Sequence, residues 1–333
     1  MTMSRQAFTH PLYEVAARPE IAQVVADGLR ATPKKLPPWL FYDAAGSALF
    51  EQITDLPEYY PTRAEREIFA RDGAAIVGAA LRRRDATFVE LGAGTATKTQ
   101  LLMRAAAALR GRARFVPVDV SPTPLEAARA RITAEDPAVS VEPWVATHEE
   151  AMPRLASLPG GKVVLFVGSS IGNYEGEEAI ALLAGIRGAL VPGDALILGT
   201  DLRKDPAVLV PAYDDAAGVT AAFNLNVLAR INRELGGRFD LERFRHVALW
   251  NDTASRIEMH LESVGDQVVA IDRLGLRVRF RDGERIHTES SVKYDDAMVD
   301  AMLGAARFRR AQTWCDAAKR FAVHVAFATA LTS

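Results

Sequence analysis

The chain has 333 residues, 49% of them hydrophobic and 25% charged, with a formal net charge of −2. That length exceeds one layered core and predicts two lobes, while the near-neutral balance excludes a strong field that would recruit nucleic acid or an anionic membrane. A single cysteine, Cys315, excludes an internal disulfide and fits a reducing compartment, so a cytoplasmic protein is expected; a monomer is expected as well.

In chain order, the opening MTMSRQAFTH lacks the apolar core of a signal peptide, and no later run approaches the ~18 apolar residues of a membrane span. Residues 16–30 have amphipathic helical spacing, broken by Pro33, Pro37 and Pro38, and Pro61 with Thr62 opens another helix. Tyr42 and Tyr59 stand at the edges of these breaks and read on their own as partly buried core tyrosines. Arg82, Arg83 and Arg84 form a basic cluster that reads as a solvated helix end.

Thr87–Leu91 then reads as a buried parallel strand and Thr97 onward as a helix, with Gly92 and Gly94 in the turn between them. Glycines there allow positive φ and let a ligand approach bare backbone, although a tight turn without ligand explains a lone G-x-G equally well. A second strand, RFVPV, ends in Asp119, placed to accept the hydroxyls of a ribose. Thr97 stands where a dinucleotide fingerprint requires a third glycine, which counts against NAD. Glu90, just before the turn, favours a cofactor carrying positive charge, and S-adenosylmethionine has both a sulfonium and an ammonium.

From Thr87 to Leu202 strands and helices alternate, which predicts an α/β, Rossmann-like doubly wound sheet with ligands beyond the strand ends. Ala146-Thr147-His148, GSSIGN (168–173) and Thr200-Asp201-Leu202 fall at those ends. Small residues in GSSIGN leave room, and Asn173 offers a donor and an acceptor, or simply caps a turn. Residues 207–235 read as helical with a break at YDDAAG, and residues 256–293 as strands, Val268 to Phe280 forming a hairpin. RFRRAQTWCD and RFAVHVAFATA read as two strands that complete the sheet in antiparallel fashion. Residues 203–295 are then an insertion, a smaller α+β lobe that packs with the first 60 residues over the strand ends. The six histidines show no metal-ligand spacing, so no metal is expected.

FYDAAGSALFEQI, LPEYYPTRAE, VELGAGTATKT, FVPVDVS, FVGSSIGN, LGTDLRKD, YDDAAGVTAAFNLNVLARINREL, RIEMHL and TESSVKY, in that order, resemble the S-adenosylmethionine-dependent histidine Nα-methyltransferase family, which makes hercynine for ergothioneine biosynthesis. The resemblance implies three methyl transfers to the α-amine of L-histidine. It implies a cofactor-binding domain (64–202 with 296–333) and a substrate-binding domain (1–63 with 203–295). The cofactor would lie on Glu90, Gly92, Gly94, Lys98 and Asp119. Where the family has Asp-Phe against adenine, this chain has Thr147-His148. Tyr59, Asn173 and Tyr213 would hold the substrate's carboxylate and amine, with Tyr42 and Gly168 close to the amine. Asn173 would align the amine and Tyr42 relay its proton. Glu289 and Ser291 would hold the imidazole, with Met259 against the ring, and a carboxylate beside that ring favours its protonated form. Relatives acting on tryptophan derivatives keep a second substrate open, and the Thr147-His148 departure keeps open a nucleotide-sensing protein without catalysis.

Overall fold

A computed structural model describes residues 19–81 and 86–330. The amino-terminal MTMSRQAFTH and the cluster Arg82 to Arg84 lie outside the described residues. The chain opens with α1 (Pro19–Arg30), a two-residue strand β1 (Lys34–Lys35), α2 (Ala44–Asp55) and α3 (Pro61–Ala80). It continues as β2 (Thr87–Leu91), α4 (Thr99–Arg110), β3 (Ala113–Asp119), α5 (Pro122–Glu135), β4 (Val139–Val141), β5 (Trp144–Val145), α6 (His148–Ser157), β6 (Lys162–Phe166), α7 (Glu177–Gly188) and β7 (Ala195–Asp201).

The alternation makes the predicted parallel sheet. Its path is β4-β3-β2-β6-β7, extended by two further strands at the β7 edge. Every residue of β2, β6 and β7 is buried, as expected for strands covered on both faces. Side chains alternate between two cores. Phe88, Phe115, Val163 and Ile197 pack with α3, α4 and α5, whereas Val89, Val116, Val164 and Leu198 pack with α6 and α7. Strand order reverses beside β2, so a crevice opens at its carboxyl end between the β2 and β6 exits. The third predicted strand, VSVEPWVA, is split into β4 and β5, because Pro143 has no N–H to donate to a ladder.

Beyond β7 come α8 (Pro206–Leu209), α9 (Val219–Leu235), and strands β8 (Phe244–Asn251), β9 (Arg256–Ser263), β10 (Gln267–Ile271), β11 (Leu276–Phe280) and β12 (Arg285–Val292). β10 and β11 form the predicted hairpin, and β1-β12-β9-β8 make a second sheet. β8 does not appear in the sequence reading. A third core draws on residues 21–60 and 209–286, including Phe41, Phe223 and Leu228. α10 (Asp296–Ala305) follows, packing Val299 and Leu303 beside α7, and β13 (Phe308–Cys315) and β14 (Phe321–Ala328) close the first sheet, β14 pairing antiparallel with β7. The inserted segment rejoins the sheet where it left: the Tyr294 amide donates to the Asp201 carbonyl, and the Arg203 amide to the Tyr294 carbonyl, both at 2.9 Å.

Candidate active site

β2 carries Glu90 into the glycine turn, where Gly92 has φ 73° and Gly94 φ 51°. A Cβ on Gly94 would meet nothing within 4 Å, so the residue faces open space and its backbone conformation alone explains the glycine. The helix after the turn starts at Thr99, two residues later than the spacing predicts, because Ala96 takes a positive φ of 49°. Asp119 reaches across from β3: its Oδ2 accepts the Gly94 amide at 2.9 Å and its Oδ1 the Ser121 amide at 3.0 Å. Burial pushes this carboxyl up against the opposing backbone amides of Ser121, Gly94 and Val120.

Beneath the turn, Glu90 Oε1 accepts the Thr99 hydroxyl at 2.7 Å, while its buried Oε2 has no hydrogen-bond partner. Burial pushes the Glu90 carboxyl up to about 8. An orphaned carboxylate oxygen below an open turn fits a ligand that brings positive charge. Lys98 pairs with Glu65, a fully buried carboxylate from α3 whose other oxygen accepts the Gly168 amide at 2.8 Å. A Cβ at Gly199 would lie 2.4 Å from that Glu65 oxygen, which explains the glycine within β7. Glu65 was not singled out in the sequence, since one acid in a charged helix reads as solvated.

Thr147 caps α6. Its hydroxyl accepts the Glu150 amide at 3.2 Å and the Glu150 carboxylate accepts the Thr147 amide at 2.9 Å, so this side chain is held by the helix start. His148 follows with its ring edge-on to Phe166 at 5.6 Å, and its Nε2 lies 3.7 Å from where a Gly92 Cβ would be. Burial depresses this imidazole to about 4, which keeps it neutral beside the turn.

A second cluster lies where β7 and β12 meet. Lys293 Nζ donates to Tyr213 Oη at 2.7 Å and Ser291 Oγ at 2.8 Å and pairs with Asp201 Oδ2 at 2.8 Å. The Tyr213 and Ser291 oxygens are themselves 2.8 Å apart. Asp201 also accepts Tyr60 Oη at 2.8 Å and Lys204 Nζ at 2.6 Å. Tyr59 packs its ring edge-on to Tyr213 at 6.3 Å and feels the charges of Lys293, Glu289 and Asp201. Glu289 sits two residues before Ser291 on β12, buried, opposite Met259 on β9, and its carboxylate accepts no hydrogen bond among the described residues. Burial pushes it up to about 7 against the opposing pull of Lys293.

The structure therefore brings Tyr59, Tyr213, Glu289, Ser291 and Met259 together. Asn173 ends the short turn Ser170–Asn173, which packs on β12 so closely that a Cβ on Gly172 would lie 2.9 Å from the Val292 carbonyl. Among the described residues its side-chain amide makes no hydrogen bond. Tyr42 stands further off in an aromatic group with Phe41, Phe50 and Phe223, and Phe50 touches both Tyr42 and Tyr59. The buried Lys293 and the mostly buried Lys204 are functional candidates that the sequence does not single out, and Asp201, noted there at a strand end, gains its partners only in the fold. LGTDLRKD and TESSVKY contained them, but nothing in either stretch says that they meet.

An antiparallel hairpin closing a parallel sheet, with a cation-seeking carboxylate under the glycine turn of its first strand, defines the class as S-adenosylmethionine-dependent methyltransferases. Comparison with known proteins narrows this. A profile described as histidine-specific methyltransferase, SAM-dependent, matches residues 21–328, and the chain belongs to that family. Relatives include histidine N-alpha-methyltransferases of Mycolicibacterium smegmatis, 47% identical over 91% of this chain and 93% of the relative, and of Mycobacterium tuberculosis, 44% identical over 97% and 99%. Ergothioneine biosynthesis protein 1 of Neurospora crassa is 28% identical over 85% of this chain and 32% of its own length.

Proposed function

We propose that the protein transfers methyl groups from S-adenosylmethionine to the α-amino nitrogen of L-histidine, three times to give hercynine, as a step of ergothioneine biosynthesis. The observation that carries this is near-full-length similarity, at 44–47% identity, to proteins named for that activity. The buried polar pair Glu289 and Ser291 on β12 supports a small polar ring as substrate. Mass spectrometry of histidine incubated with enzyme and cofactor tests it: species with one, two and three added methyl groups are expected, and unmodified histidine would overturn the proposal.

In this reading residues 64–202 with 296–333 hold the cofactor, and 1–63 with 203–295 the substrate. The protein would act as a monomer in the cytoplasm on a small molecule; no helix among the described residues is long and apolar enough to cross a membrane. Gly92, Gly94, Asp119, Lys98, Glu90, Thr147 and His148 would hold the cofactor, which supplies a methyl carbon on a sulfonium, open to in-line displacement. Tyr59, Tyr213, Asn173 and Gly168 align a neutral amine with that carbon and exclude water, the main demand of such a displacement. Tyr42 relays the released proton outward.

Two consequences can be measured. Asp119→Ala removes an acceptor of charge-assisted hydrogen bonds worth about 1.5–3 kcal/mol, so binding of S-adenosylhomocysteine, read by calorimetry, should weaken about 10- to 100-fold. Unchanged affinity would remove Asp119 from the ribose. Asn173→Ala should depress histidine turnover and leave cofactor affinity nearly intact, because the loss belongs to alignment of the amine. An equal loss of both would make Asn173 structural.

A further inference from the structure

Lys293 has three protons and three acceptors: Asp201, Tyr213 and Ser291. Each hydroxyl thus already gives one lone pair to the same ammonium. The two hydroxyls hold two protons, and one of these is consumed in the bond between them. Either oxygen could donate by geometry, but a phenol is the stronger donor and an alkyl hydroxyl the stronger acceptor, which favours Tyr213 as the donor of the shared proton. Ser291 Oγ then has both lone pairs occupied and keeps its own proton. Among the described residues it has no third partner, so that proton is left for a ligand. Two residues earlier, on the same face of β12, Glu289 offers the reverse: a buried acceptor with no donor.

Resting on the histidine reading above, we infer that Lys293, clamped by Asp201, acts as a positioning residue: it sets the proton polarity of the Tyr213–Ser291 pair, so that β12 presents a donor at Ser291 beside an acceptor at Glu289. The substrate ring that satisfies both has one N–H and one bare nitrogen, which is a neutral imidazole. An imidazolium would aim a second N–H at an oxygen with no lone pair to give, and an indole has no nitrogen to accept the Ser291 proton. The expectation that the carboxylate favours a protonated ring is reversed by this arrangement. Around the pair stand Asp201 from β7, Lys204 beyond it, Tyr59 and Tyr60 ahead of α3, Glu289 on β12, and His246 of β8. Burial depresses His246, whose ring bonds the Tyr213 carbonyl.

The test compares histidine with 1,2,4-triazolylalanine, whose ring keeps an N–H and a bare nitrogen but is far less basic. The ratio of their kcat/KM values cancels the α-amine and the enzyme's own groups, Glu289 included. In wild type the histidine-to-triazole ratio should fall about tenfold per pH unit below the imidazole pKa of about 6.5. A ratio flat with pH, in an enzyme that methylates histidine, would overturn the inference alone. Methylation of neither compound at any pH would overturn the proposed reaction and the inference with it. In Lys293→Met the Ser291 lone pair is released, so the ratio should flatten, with the change in KM exceeding that in kcat. A folded Lys293→Met protein with the wild-type pH dependence would also overturn it. If this variant does not fold, the wild-type ratio decides by itself.

Discussion

Asp201→Ala should lower the free energy of unfolding by about 3–5 kcal/mol, the penalty for removing one partner of a buried ion pair. Asp201 is 1% exposed and Lys293 fully buried. Without the carboxylate, Lys293, Lys204 and the Tyr60 hydroxyl lose the acceptor they share. Burial raises the Asp201 carboxyl, but Lys293 and Lys204 outweigh it and hold the group below the usual carboxylate range. Its folded pKa is therefore lower than its unfolded one. The stabilisation is complete above the unfolded value, about 3.9, and is lost as pH falls through the folded value. Denaturant titration of wild type and variant at pH 7 should show the full difference, and titration below pH 4 a smaller one. A difference under about 1 kcal/mol at pH 7 would mean that the two lysines find other acceptors or water.

That pair also marks where legibility in the sequence stops. The glycine turn, Asp119 and the closing hairpin are local patterns: apolar runs, a change of period and an acid at a strand end. Asp201 and Lys293 are 92 positions apart, and each reads alone as a charge at the end of a strand. Only the return of the insertion to the sheet makes them neighbours, and periodicity carries no information about that return. β8 was missed for a different reason. It is an edge strand whose burial pattern has just Phe244 and Ala248 inside, four apart, so FRHVALWN shows neither clean alternation nor a continuous apolar run. Glu65 was missed because α3 is polar along most of its first turns, and a buried acid there is visible only once Lys98 and Gly168 are seen against it. The substrate residues became readable through long matching blocks. From the residues alone Met259 is a core side chain and Glu289 a solvated carboxylate, and the structure does bury Met259 in the third core.

Glu289→Ala should separate histidine from tryptophan. Removing a buried acceptor from a ring N–H costs on the order of 2–4 kcal/mol, roughly 30- to 1000-fold in kcat/KM for histidine, because the buried N–H is left unpaired. Tryptophan should lose little or gain, since truncation removes a carboxylate that its single N–H meets poorly and opens space against β9. Met259→Val, opposite Glu289 in register, should widen the same wall, so the double variant should lower the histidine-to-tryptophan ratio further. Stability distinguishes this carboxylate from Asp201. Burial, opposed by Lys293, raises Glu289 to about 7, above its unfolded value, so the folded state increasingly disfavours its ionised form as pH rises from about 4.5 to about 7. Glu289→Ala should therefore match wild type in unfolding free energy near pH 4 and exceed it above pH 7, while losing activity toward histidine. A residue kept at a cost to the fold and needed for turnover is explained by what it holds. If the variant is instead less stable at pH 8 and its histidine-to-tryptophan ratio is unchanged, Glu289 serves the packing of β12 against β9, and the imidazole is recognised by other groups.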